Sequence, residues 1–420
     1  MLKHTNREYL CTIIRKSKHQ VFEQRSIHHK FYTKMSTSKQ DKNTTLMEQK
    51  HHDCIIDNTR IFFVWDFDHT VVNCNSDEYV PAKILGVKET TQLFLEYWAQ
   101  HTNNWHKCVE LVMEKAMQKA RDQNQDEEKE IQKIAATMPY LMEVKNALED
   151  IYKCQHQSHP DSERLKKEKE QCISNENQYE KDFQTNDIHQ MILSDGNTYF
   201  IQSFLNGTEF YRYFNQGIIT NIGTMESNES NTMKNFLVTP YAQNKPNGCP
   251  LPPKSQCPDN LCKTEALFRI LKNSSHFYKS RSVNNTVITS RPKIVYVGDG
   301  GNDACPALHV LTSPKDVILA RSGYKPTYVD LVKKPLDSGA LTDEEAFSSL
   351  PPMNDSNSGG YGILPKFDSL KKKFDETPKC QIKVWKTGTE LCSHINECLT
   401  SSFMSKNEEK DKFKISIEFE

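Results

Sequence analysis

No stretch of the 420-residue chain approaches the roughly 18 to 20 consecutive apolar residues of a membrane span, and the N-terminus lacks the continuous apolar core of a secretory signal. Net charge is missing as well. The 54 Lys and Arg against 55 Asp and Glu leave a formal −1 at pH 7, so no global field draws the chain to nucleic acid or an anionic membrane. The 13 cysteines contain no CxxC pair and several lie in apolar segments, which is the usage of reduced thiols in a cytoplasmic protein. Two nucleotide signatures are also absent. There is no GxxxxGKS/T loop, and Gly298-Asp-Gly300-Gly301-Asn-Asp303 lacks the last glycine of a dinucleotide fingerprint. These exclusions leave the expectation of a cytoplasmic protein with no nucleic-acid partner and no membrane span.

What is present is uneven. A hydrophobic fraction of 36% and a mean hydropathy of −0.72 suit one or two compact cores carrying solvated insertions. Residues 1–58 read as a basic, disordered extension; over residues 1–40, Glu8 and Glu23 are the only carboxylates. The same composition fits an organelle presequence, and Met35 offers an alternative start. From Ile61 the character becomes strand-like, and it returns at residues 189–194, 217–222, 293–298 and 316–320. Short β-rich runs with little alternation are those of strands buried on both faces of a parallel sheet. Residues 196–210 and 263–272 carry apolar residues at helical spacing, giving the strand–helix alternation of a doubly wound α/β fold.

Between the first two strands, residues 91–120 and 128–153 are long, amphipathic and almost free of Gly and Pro, predicting a helical cap over 76–154. Residues 155–187 have the charge and the scarcity of apolar side chains of a solvated insert. The core then comprises 59–75 and 188–400, with a flexible loop at 354–362, and 401–420 form a charged tail.

In an open parallel sheet the carboxyl ends of the strands face the ligand crevice. Asp66 and Asp68 follow the first run, Ser194 and Asp195 the second, and Asp299 and Asp303 the run ending at Gly298, so all fall on that edge. Converging carboxylates raise one another's pKa unless a cation neutralises them, and hard oxygen ligands favour Mg2+. Mg2+ in turn divides its positions between one or two carboxylates and a phosphate, which points to phosphoryl chemistry. A calcium loop from Asp66 fails because Val71 and Asp77 stand where Gly and Glu are required. Alone, Asp-x-Asp-x-Thr-Val or Gly-Asp-x-x-x-Asp is a weak signal. In this order, each directly after a β-rich run and with Ser194 and Lys263 between them, they form a specific constellation. Cys249, Cys257 and Cys262 lack zinc-finger spacing and read as structural thiols, Cys305 reads as packing, and His69 as a neutral filler.

DFDHT (66–70), LSD (193–195), Lys263 and GDGGND (298–303) resemble the four motifs of the haloacid dehalogenase superfamily of phosphohydrolases. VVNCNSDEYV (71–80), LSDGNTYFI (193–201), CPDNLCK (257–263), YVGDGGNDACPAL (296–308) and IKVWKTGTEL (382–391) resemble, within it, the phosphoethanolamine/phosphocholine phosphatase and pyridoxal phosphate phosphatase family. The resemblance covers most of residues 60–400 apart from the inserts, and the helical segment corresponds to that family's small α-helical cap.

The resemblance implies that Asp66 is a nucleophile forming an aspartyl-phosphate and Asp68 the general acid/base. It implies that Ser194 and Lys263 hold phosphoryl oxygens. Mg2+ would be bound by the Asp66 carboxylate, the Asp68 backbone carbonyl and Asp299, with Asp303 as ligand or support. Asp77 and Asp195 align with acids thought to take a substrate's cationic amine, although Asn73 and Cys74 make the rim less acidic than the family's. Tyr79, Tyr97, Trp98 and Trp105 offer cation–π or stacking faces there, beside their more ordinary role as core.

The expectation is a Mg2+-dependent phosphomonoesterase for a small phosphorylated metabolite, phosphoethanolamine or phosphocholine first and pyridoxal 5′-phosphate as the alternative. A phosphotransferase or mutase on the same scaffold is more distant. So is a non-catalytic interaction protein, against which the intact Asp66, Asp68, Lys263 and Asp299 stand.

Overall fold

The computed structural model describes residues 55–101, 104–156, 187–227, 234–241, 261–273, 277, 279–283, 286–322 and 377–415. The N-terminal extension up to residue 54, most of the insert at 155–187, the 354–362 loop, Cys249 and Cys257 lie outside these. Strands β1 (Ile55–Trp65), β2 (Asp187–Asn197), β3 (Ile218–Ser227), β4 (Lys234–Thr239), β5 (Lys279–Val283), β6 (Thr286–Gly298), β7 (Val317–Arg321) and β8 (Gln381–Trp385) form one sheet in the order β4-β3-β2-β1-β6-β7-β8. β5 pairs with β6 off this path. Pairings are parallel except β3–β4 and β5–β6.

The central strand explains its own composition. Ile61, Phe63 and Trp65 pack into the core on one face of the sheet, Phe62 and Val64 into that on the other. With both faces covered there is no solvent side to favour polar alternation, hence the unbroken IFFVW. The chain runs from β1 through β2 to β3 on one side, then returns to β6 on the other. The switch point therefore lies between β1 and β6, where crevices of such sheets open. The doubly wound α/β expectation holds.

Between β1 and β2 lie α1 (Ser76–Leu85), α2 (Val87–Gln100), α3 (Trp105–Asp122), α4 (Glu127–Ala135) and α5 (Met142–His156). The run 91–120 is two helices, not one: Asn104 caps α3, its side chain accepting from Lys107 N–H at 3.1 Å. The run 128–153 is likewise divided by residues 136–141, which include Pro139. Residue 76 begins α1 because Asn75 accepts from Asp77 N–H at 3.0 Å.

Unlike α1–α4, α5 packs against the C-terminal helix. Its Val144, Ala147, Leu148 and Ile151 join the same core as β1 and the C-terminal helix α9 (Gly388–Ile415). Cys392 Sγ donates to Glu143 O at 3.0 Å. The helical insertion thus ends near residue 141, and α5 is the crossover helix that a parallel β1–β2 pair requires. α9 also runs through most of what reads as a charged tail from 401, as far as Ile415. Its start is fixed by a capping box: Thr387 Oγ accepts from Glu390 N–H at 3.3 Å and Glu390 Oε2 from Thr387 N–H at 3.1 Å. No Gly or Pro follows Gly388 to stop it.

On the opposite face α7 (Lys263–Asn273) and α8 (Ala304–His309) cover β1, β2 and β6, while α6 (Thr198–Thr208) follows β2 directly. All eight cysteines among the described residues are free thiols. Among the described residues no helix is long and apolar enough to cross a membrane. Because Leu148 is fully buried, Leu148→Ala is expected to cost about 2–5 kcal/mol in urea unfolding. A loss under about 1 kcal/mol would remove α5 from the core.

Candidate active site

β1 ends at the switch point and the next residue is Asp66, whose N–H continues the β1–β6 pairing by donating to Val297 O at 2.8 Å. One Asp66 oxygen accepts from Phe67 N–H at 2.8 Å, and Oδ2 lies 2.9 Å from Lys263 Nζ. Lys263, the first residue of α7, is 3% exposed and lies 2.7 Å from Asp303 Oδ1. One buried ammonium therefore bridges carboxylates from opposite ends of the sequence. Asp66, Asp299 and Asp303 have carboxylate oxygens all within 4.8 Å of one another, and Thr70 Oγ donates to Asp299 Oδ1 at 3.3 Å.

Asp303 is engaged on every side. Lys263 Nζ and Tyr296 Oη donate to Oδ1, each at 2.7 Å, and Asp299 N–H and Gly300 N–H donate to Oδ2 at 3.1 and 2.9 Å. A carboxylate has about four lone-pair directions, so these donors use its capacity. Gly298 is required for this approach: a Cβ there would stand 2.6 Å from Asp303 Cγ.

Asp68 faces a different environment. Its Oδ1 accepts from Ser76 N–H at 2.9 Å. A Cβ on Gly196 would lie 3.5 Å from both Asp68 Oδ2 and Ser194 Oγ, which brings Asp68 and Ser194 to the same small space. Gly196 N–H donates to Ser194 Oγ at 3.2 Å. Asp195 Oδ2 accepts from Asn302 Nδ2 at 3.0 Å, joining the β2 end to the loop after β6. Asp77 accepts from Asn197 Nδ2 at 2.8 Å and Trp105 Nε1 at 2.9 Å, one on each oxygen. Trp105 itself stacks on Phe94, ring centroids 4.8 Å apart.

The electrostatics follow from burial. Burial, then repulsion from Asp303, pushes the Asp66 carboxyl well up, with Lys263 opposing and Asp299 adding. Burial and then the charge of Asp77 push Asp68 well up, the Ser76 hydrogen bond partly offsetting them. Burial raises Asp77 to about 6 against the hydrogen bonds from Trp105 and Asn197. Burial opposes the Lys263 charge, but Asp303 and Asp66 outweigh it and hold the ammonium.

Three carboxylates against one ammonium leave two formal negative charges in a buried space. A divalent cation with hard oxygen ligands fits that deficit, and Mg2+ fits the donor set. Asp303, with four donors already on it, has no acceptor capacity left for such an ion.

The fold thus brings Asp66, Asp68, Ser194, Asp195, Lys263, Asp299 and Asp303 to one sheet edge, with Asp77 tied to it through Asn197. Sequence reasoning missed Tyr296, Thr70, Asn302 and Asn221, and put Asn197 on the site edge without a role; Asn221 donates to Asp195 O and Gly196 O at 2.6 and 2.9 Å. Tyr296 was hidden by an apolar strand in which an aromatic reads as core, whereas Asn197 and Asn302 stood inside recognisable motifs. Cys305 is buried, as its packing role requires.

The family described as "Putative Phosphatase" matches residues 173–337, a span holding Ser194, Lys263, Asp299 and Asp303. A "Probable phosphatase phospho2" of Xenopus tropicalis is 27% identical over 63% of this chain and 84% of its own. The human pyridoxal phosphate phosphatase PHOSPHO2 is 25% identical over 63% of this chain and 83% of its own. A thiamine phosphate phosphatase-like protein of Arabidopsis thaliana is 23% identical over 66% and 86%. These similarities are to proteins described as phosphatases or phosphatase-like. Among them, several vertebrate proteins named pyridoxal phosphate phosphatase are 23–26% identical to this chain.

Lys263→Met leaves the carboxylates without their ammonium, so in EDTA it is expected to destabilise the fold by about 3–5 kcal/mol. Millimolar Mg2+ should raise the thermal midpoint of the wild type and not of Asp299→Asn; equal shifts in both would remove Asp299 from the cation site.

Proposed function

We propose that the chain is a Mg2+-dependent phosphomonoesterase that works through an aspartyl-phosphate on Asp66. The observation that carries this is the buried Asp66 carboxylate, oriented by Phe67 N–H and Lys263 and set beside Asp299 and Asp303. An Asp66 oxygen attacks phosphorus, forming an acyl phosphate as the bond to the substrate's alcohol oxygen breaks. Asp68, whose proton affinity is raised by burial and by Asp77, gives its proton to that oxygen. Water then attacks the acyl phosphate while Asp68 takes a proton back, releasing phosphate and restoring Asp66.

Lys263 and Ser194 are the groups to hold the phosphoryl oxygens. Mg2+, held by the Asp66 and Asp299 carboxylates and the Asp68 backbone carbonyl, would neutralise charge on Asp66 and on those oxygens. Asp303, with four donors already on it, acts as support that fixes Lys263 and the Asp299 loop.

For the substrate, the order expected from the sequence is reversed. Pyridoxal 5′-phosphate is favoured over phosphoethanolamine and phosphocholine. Both Asp77 oxygens are already committed to Asn197 and Trp105, which weakens its claim as a free acceptor for an ammonium group. Relatives matched over 63–66% of the chain are named for pyridoxal phosphate and, as a phosphatase-like protein, for thiamine phosphate, while one matched over 32% is named for inorganic pyrophosphate.

Phosphate release from these three esters, with Mg2+ and with EDTA, tests the reading; no metal-dependent release from any would end it. Asp66→Asn is expected to lower turnover at least about 10³-fold. A second measurement bears on Asp77. Its carboxyl gains charge as pH rises through about 6, so a role in amine binding requires KM for phosphocholine to fall across that range relative to an uncharged alkyl phosphate. The ratio is expected to stay flat, and to be unchanged in Asp77→Asn.

A further inference from the structure

The segment after the nucleophile is held by a residue outside every motif. Arg321 is the last residue of β7, 8% exposed, on the same sheet edge as the site. Its guanidinium forks onto two points of that segment: Nη1 donates to His69 O, and Nη2 donates to Asn73 Oδ1 at 2.6 Å. Its Cζ lies over the Trp385 ring, 5.1 Å from the centroid. Trp385 is itself fixed, fully buried, with Nε1 donating to Leu319 O at 3.2 Å.

The segment needs holding. His69 has φ +52°, left-handed backbone that a residue with a Cβ adopts only where its surroundings enforce it. The peptide carbonyl fixed by Arg321 belongs to that residue. Asp68 precedes it and Thr70, which donates to Asp299, follows.

We propose that Arg321 is a positioning residue for the proton-transfer step: a fork from β7 that locks the turn and so fixes Asp68 relative to the leaving oxygen. Two parallel donors on a planar group define an orientation that a single-point ammonium cannot. The assignment rests on the reading of Asp68 as the proton donor, and the test separates the two.

In the full-length protein with Mg2+, kcat/KM is compared for pyridoxal 5′-phosphate, which leaves as an alcohol and needs protonation, and p-nitrophenyl phosphate, which leaves as a stabilised phenolate and needs little. Arg321→Met is expected to lower the first about 10²-fold and the second by less than about fivefold. Arg321→Lys, which keeps the charge and reaches one acceptor, should fall between. Hydrogen exchange gives a readout independent of turnover: amides of residues 67–74 should exchange faster in Arg321→Met while those of β1 and β6 do not change. Equal losses on both esters, or unchanged exchange at 67–74, overturn the assignment. Faster exchange in a protein whose wild type hydrolyses neither ester supports the fork and instead overturns the phosphatase reading.

Discussion

Mutual repulsion among buried carboxylates at the end of β1 is the constraint on which the rest depends. Asp66, Asp299 and Asp303 meet within 4.8 Å, and an isolated carboxylate there would take up a proton rather than stay charged. Lys263 supplies the compensating charge available from the chain, and it arrives from α7 on the far side of the switch point. β1 must be central, with β2 and β6 on either side, because only then do one strand end, one helix start and one loop converge. The apolar faces of β1 stabilise an arrangement that the charges alone would disfavour.

Chemically identical side chains are separated by what donates to them. Asp303 is saturated by Lys263, Tyr296 and two backbone N–H groups, and becomes scaffold. Asp66 is oriented by one amide and one ammonium, leaving room for chemistry. Asp68 has an amide, no ammonium contact among those described, and Asp77 as the second cause of its raised pKa. Asp77 is paired with a neutral amide and an indole. Separation of environments is how neighbouring acids can come to differ in proton affinity.

The strand ends were legible in the sequence because buried parallel strands leave few ways to write them, and an acid directly after IFFVW or IVYVG is conspicuous. The partners of those acids were not. Tyr296 sits in an apolar run where its hydroxyl carries no signal, and Asp77 looked available because an adjacent amide and indole leave no trace in spacing. His69 looked like filler, yet its carbonyl anchors Arg321 and its φ sets the turn. Helix limits failed where local capping decided them: Asn104 divides a run that periodicity reads as continuous. α5 failed for another reason, since an amphipathic helix buries its apolar stripe equally well on an insertion or on a sheet.

Those unread contacts also determine how the helical insertion is joined to the chemistry. Its entry and exit meet beside the site, Asn73 N–H donating to Pro139 O at 2.6 Å. Asp77, on the first helix, is bound to Asn197 at the end of β2. Farther out, Glu110 Oε1 accepts from Val238 N–H at 3.0 Å and Lys234 Nζ lies 2.6 Å from Glu128 Oε2, fastening α3 and α4 to β4. The half-exposed ion pair contributes little by itself; the entry–exit bond is the consequential one, because Asn73 is also an anchor of Arg321. Any displacement of the insertion must therefore pass through the residues that set the backbone on either side of Asp68. The backbone beside Asp68 and the entry to the helical insertion are held through one residue, Asn73.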